Sequence, residues 1–178
     1  MTKHGKVLGI GVLAAVLALG GVTAIASDAC CQGVGAAGQS VLPPEAEEAV
    51  LDALVGPEGE YAAYATYVAI LEEFGNVNPF ANILASEAKH IDALKLILDR
   101  YGVPYPEENP YLGNVAAPDS LAAAAQAGVD AEIANVALYE AQLAAVSGIP
   151  DIVEVFVNLQ TASQENHLPA FERAAARY

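Results

Sequence analysis

Apolar residues recur at helical spacing along most of the chain from about residue 43 onward. β-branched residues never form the alternating runs that a sheet needs. Pro43-Pro44-Glu45 opens a short helix with proline in its first turn and ends near Leu54, before Gly56-Pro57. A longer helix is predicted from Glu58 to Phe74. Its face reads Ala63, Tyr64, Tyr67, Ile70, Leu71, Phe74 and, extended back one turn, takes in Glu60. A second long helix is predicted from Asn78, as cap, to Tyr101, with the stripe Ile83, Leu84, Glu87, His90, Ile91, Leu94, Ile97, Leu98. Residues 104 to 117 are rich in Pro, Asn and Gly and read as a crossover. A third helix, Asp119 to Ser147, carries Ala125, Val129, Glu132, Val136, Tyr139, Leu143 and Val146, with Asn135 on the same broad face. A fourth, Asp151 to Ala176, carries Val153, Phe156, Val157, Gln160, Gln164, His167, Leu168 and Phe171, with Pro169 expected to kink or interrupt it just past His167. The pattern predicts an all-α four-helix bundle.

Each apolar stripe is broken by a polar residue at an inward position. A carboxylate set among Leu and Ile must be paired or coordinated. In chain order these residues are Glu60, then Glu87 and His90, then Glu132, then Gln164 and His167. A three-residue spacing lets two side chains of one helix reach one point. Carboxylates can bridge two iron or manganese ions and offset their charge, while each ion takes an imidazole nitrogen. The order Glu, Glu-x-x-His, Glu, Gln-x-x-His is close to the dinuclear carboxylate arrangement of ferritin-like bundles, with Gln164 where a carboxylate would stand. All six residues are therefore candidate ligands for Fe or Mn as a dinuclear cofactor. The competing reading is a buried polar network in a purely structural bundle.

Composition adds little to the fold and more to the partners. The chain has 178 residues and a formal net charge of -15, which suits one domain and argues against nucleic acid as a partner. Lys3, His4 and Lys6 precede an apolar run from Val7 to Ala26, and Ala24-Ile25-Ala26 offers a cleavage site. Residues 1–26 thus read as a signal peptide or a membrane anchor, and the protein as extracytoplasmic, secreted or membrane-anchored. Residues 27–42 read as a flexible linker and 43–178 as the bundle. Cys30 and Cys31 are the only cysteines of the chain, so intermolecular disulfides or reactive thiols are their open uses, and homo-oligomer or membrane contacts through this segment follow as candidate partners.

The runs Ser86-Glu87-Ala88-Lys89-His90 and Asn166-His167-Leu168-Pro169-Ala170-Phe171, with Glu60 to Gly75 and Gly128 to Ile133, resemble a ferritin-like domain family of unknown function in the rubrerythrin and ferritin superfamily. The resemblance runs from about Leu51 to the C-terminus. It implies a ferritin-like bundle with Glu60, Glu87, His90, Glu132 and His167 around the metal. Ala65 and Tyr64 depart from the family pattern, and Gln164 falls at a position already irregular in the group. The functions that follow are metal-dependent oxidase, ferroxidase or peroxide-reducing activity, or a non-enzymatic cell-surface assembly module with a structural polar core.

Overall fold

The computed structural model describes residues 41–178. The expectations placed on residues 1–40, the apolar leader and the Cys30-Cys31 pair, lie outside the described residues. Among the described residues six α-helices follow one another: α1 Pro44–Val55, α2 Glu60–Phe74, α3 Phe80–Tyr101, α4 Leu121–Val146, α5 Pro150–Ala162 and α6 Leu168–Ala175. A π-helical turn, Ser163–His167, joins α5 to α6, so these two form one long run. The four long segments α2, α3, α4 and α5–α6 make an all-α, ferritin-like four-helix bundle, and α1 packs across α2, α3 and α4.

Local chemistry sets the helix ends. Ser120 caps α4, its hydroxyl accepting the amide of Ala123 at 3.2 Å. Gly102 stops α3 in the left-handed region, with φ 69°, where glycine carries no Cβ penalty. The expected Asn78 cap is corrected. Pro79 holds the cap position without a side-chain hydrogen bond, and the carbonyls of Val77 and Pro79 take the first free amides of α3. Between α3 and α4 the link is tied back to α2. Asn109 donates to the Tyr61 carbonyl at 2.7 Å, and Tyr61 donates its hydroxyl to Pro106 O at 2.8 Å.

The apolar core comes in two parts with a polar layer between them. One part gathers α1, the later half of α3, the end of α4 and α5 around Leu54, Leu94, Leu98, Tyr139 and Phe156. The other gathers Tyr67, Ile70, Phe80, Ile83, Ala124 and Phe171. Tyr67, Phe80 and Phe171 form a ring trio with centroids 5.2 to 6.1 Å apart. Gly128 of α4 lets Phe171 lie directly against the helix backbone, since a Cβ there would fall 2.6 Å from the ring.

Among the described residues no helix is long and apolar enough to cross a membrane. The expectation of membrane anchoring is corrected to that extent, since none of the described helices offers the span that anchoring needs; the expectation of an extracytoplasmic or secreted protein rested on residues 1–26, outside the described residues.

Candidate metal centre

Glu60 is the first residue of α2 and only 1% exposed. It gets there because Gly59 lets the chain turn tightly over the end of α1. A Cβ on Gly59 would lie 2.6 Å from the Ala53 carbonyl oxygen. Glu87 and His90 face inward from the middle of α3, and Glu132 does so from the middle of α4. His167 closes the π-helical turn. All five are buried.

These side chains meet in two groups that share Glu87. Glu60, Glu87 and His90 form one, and Glu87, Glu132 and His167 the other; within each, one ligand atom per residue lies within 4.8 Å of the rest. Glu87 divides its carboxylate between them. Its Oε2 is 2.9 Å from His90 Nδ1, and its Oε1 is 3.1 Å from His167 Nδ1. Glu60 Oε2 stands 3.3 Å from His90 Nδ1, and Glu132 Oε2 stands 3.4 Å from His167 Nδ1. The two imidazoles stack with centroids 5.4 Å apart.

The outer oxygens are held by a crossed pair of phenols. Tyr139 of α4 donates to Glu60 Oε1 of α2 at 2.6 Å, and Tyr67 of α2 donates to Glu132 Oε1 of α4 at 2.8 Å. Burial, reinforced by the neighbouring carboxylates, pushes both phenols well above their ordinary range, so they remain donors. Ser86 Oγ lies 3.3 Å from His90 Nε2, one turn earlier on α3, and leaves Nδ1 turned to the carboxylates. Behind Glu60, Asn135 donates to the Glu58 carbonyl at 3.3 Å and accepts from Ser163 Oγ at 2.8 Å.

The protonation pattern follows from crowding three carboxylates in a dry layer. Burial, together with the charge of Glu87, pushes Glu60 up to about 7. Burial also acts to raise Glu87, but hydrogen bonding with Glu60, His167 and His90 outweighs it and holds Glu87 at about 2. Burial would depress the histidines; the facing carboxylates overcome it and raise His90 to about 10 and His167 to about 9. Protons on these groups thus offset the carboxylate charge in the metal-free layer. His167 Nδ1 has close ionic contacts yet no well-directed hydrogen bond, although it is fully buried. A buried nitrogen beside two carboxylates without a directed partner suits a common ligand better than a pairwise bond. The donor set, three carboxylates and two imidazoles, likewise suits a first-row divalent ion.

Gln164 does not join the others. Its side chain is exposed, and Ser163 occupies the inward position. The cause is the π-helical turn. The amide of Leu168 reaches back five residues to the carbonyl of Ser163, so the residue stacked under His167 is four back rather than three. The same change of register leaves Val157 42% exposed and buries Ile152 and Leu159 instead. Pro169 supplies the physical reason, because its ring crowds the carbonyl four residues earlier and its missing amide breaks the α-helical ladder. Ser163 is the residue that sequence reasoning missed. Its signal was Pro169, taken to act after His167 when its effect lies before it.

Residues 53–177 match the uncharacterized protein domain DUF2202. The chain belongs to the DUF2202 family. The DUF2202 match takes in every residue of both groups, from Glu60 to His167. The fold is similar to the crystal structure of hypothetical protein MJ0754 from Methanococcus jannaschii, with a TM-score of 0.65 and 25% identity over 81% of this chain and 87% of that one. No curated protein matches the chain significantly.

Proposed function

We propose that this DUF2202 protein binds two divalent metal ions, iron or manganese, in the paired Glu/His groups, and uses them in oxidation of Fe(II) or in reduction of oxygen or peroxide. The supporting observation is the sharing of Glu87: one carboxylate turns an oxygen to each of two histidines, each of which also faces a carboxylate of its own. Glu60, Glu87 and His90 would hold one ion and Glu87, Glu132 and His167 the other. Bound iron or manganese would supply one-electron chemistry toward oxygen species. The chain supplies the rest. Tyr139 and Tyr67 fix the outer carboxylate oxygens, Ser86 orients His90, and apolar clusters bound the layer on either side. Loading requires the histidine protons, and that on Glu60, to leave.

Metal analysis and equilibrium titration with Fe(II) or Mn(II) test this reading. The wild type is expected to take two ions per chain. Glu87→Ala should lose both, because both groups need it, whereas His90→Ala should spare the ion held by Glu132 and His167. A wild type that holds no metal and oxidises Fe(II) no faster than buffer would overturn the proposal and leave the polar layer as a structural network.

A further inference from the structure

Besides the two groups, the described residues hold a cavity of about 230 Å³ between α2 and α4 that reaches them from the surface. Its inner end is lined by Tyr67, Glu87 and Glu132. Its walls are the half-buried Ala62, Ala131 and Thr66, small side chains on facing helices. Exposed Glu58 and Asp130 line its outer part, Asp130 accepting a hydrogen bond from Gln126 at 2.9 Å. Carboxylates therefore stand at both ends of a short passage with apolar sides. Nδ1 of His167, which makes no well-directed hydrogen bond, lies 3.1 Å from Glu87 Oε1 and 3.4 Å from Glu132 Oε2, the two carboxylates at the inner end.

We infer that this cavity is the route by which divalent cations reach the centre, and that it limits the site to hydrated cations and small neutral molecules. The inference rests on the metal reading above and adds which substrates can arrive. At about 30 Å³ per water the volume holds about seven or eight waters, enough for a cation and its first hydration shell. It falls below the range of about 300–1,000 Å³ typical of pockets for organic ligands. The acidic outer part, on a chain of net charge -15, raises the local concentration of cations and opposes anions. A cation moving inward exchanges water for carboxylate oxygen at each end and crosses only the short apolar stretch between.

Rates and equilibrium of Co(II) uptake separate the route from the site. Stopped-flow absorbance follows Co(II) binding to the full chain, and titration gives its stoichiometry. Ala62→Leu narrows the passage and should slow uptake about tenfold while the number of ions bound at equilibrium stays the same. Glu58→Gln with Asp130→Asn should slow uptake several-fold at low salt and flatten its dependence on ionic strength, within the roughly 10- to 1,000-fold range of electrostatic steering. Glu45→Gln with Glu48→Gln makes the same change in net charge on α1, away from the cavity, and should leave the rate at the wild-type value. If Ala62→Leu fails to fold, the two charge variants still decide between local and overall attraction. Uptake that ignores the Glu58/Asp130 change, or that responds equally to the α1 change, overturns the route while leaving the metal reading in place. A wild type that takes up no Co(II) at equilibrium overturns the metal reading and the route with it.

Discussion

Tyr139 shows how much one side chain contributes to a layer whose charged members attract most of the notice. Its hydroxyl is fully buried and donates to Glu60 at 2.6 Å, and among the described residues nothing else of comparable strength reaches that oxygen; Asn135 stands at 3.5 Å. Tyr139→Phe keeps the ring against Phe156 but leaves Glu60 Oε1 short of a donor. Hydrogen bonds to charged groups contribute about 1.5–3 kcal/mol, and at mildly alkaline pH, where Glu60 is ionised, a loss of that size should appear in the urea midpoint of the metal-free protein. On the proposed metal reading, loss of an outer hydrogen bond should also weaken the ion that Glu60 and His90 would hold about 10- to 100-fold, with the other ion less affected. An unchanged midpoint together with unchanged affinity would mean that Glu60 is not held by this phenol. At this scale the sequence was largely legible. Glu60, Glu87, His90, Glu132 and His167 each interrupt an apolar stripe, and an inward charge needs a partner wherever it occurs. Gln164 was placed wrongly because its inward direction depended on a uniform helical period.

The fourth helix shows why elements are read less surely than residues. Helix existence and type followed from apolar spacing for α1 to α4, with ends displaced by a residue or two where capping differed, as at Asn78. The α5–α6 run broke the rule because one wider turn offsets the residues before it from those after it, and no apolar pattern of five residues announces such a turn. The contact between α4 and α6 is similarly invisible in a stripe. Gly128 reads as a weak helix former, yet it is what admits the Phe171 ring. Gly128→Ala gains about 1 kcal/mol of helix propensity. Against this, the new methyl would fall 2.6 to 2.8 Å from three ring atoms of a fully buried Phe171, and overpacking costs about 1–3 kcal/mol. The steric cost should win, so the variant should melt at lower temperature than the wild type. A higher melting temperature would show that the ring has room to move aside.

For the molecule as a whole, the polar layer sets the response to pH. His90 and His167 are raised from 6.5 to about 10 and about 9, so their contribution to stability is complete below pH 6.5 and lost as pH rises through 9 to 10. Glu60, raised from 4.5 to about 7, acts in the same direction between those values. Glu87, lowered to about 2, contributes above pH 4.5 and loses that contribution as pH falls toward 2. The metal-free protein should therefore be most stable in mildly acidic solution and weaken steadily from neutral to alkaline pH. Urea midpoints at pH 5, 7 and 9 in the presence of a chelator check this, and a midpoint that rises with pH would contradict it.

The crossed phenols make the two halves of the bundle mutually dependent. The half containing α2 and α3 carries Glu60 and Tyr67, whose partners Tyr139 and Glu132 belong to the half containing α4 to α6. Cleaved at exposed Gly113, where φ is 74° and a side chain would meet only open space, the polypeptide would become two fragments, each burying a carboxylate with no phenol to satisfy it. Such fragments should remain associated and dissociate only on unfolding, so size exclusion of the nicked protein should give a single peak at the intact mass. Separation into two folded pieces would show that each half can satisfy its own charges. The bundle is in this sense a heterodimer written as one chain, in which each fragment acts as the template for the other.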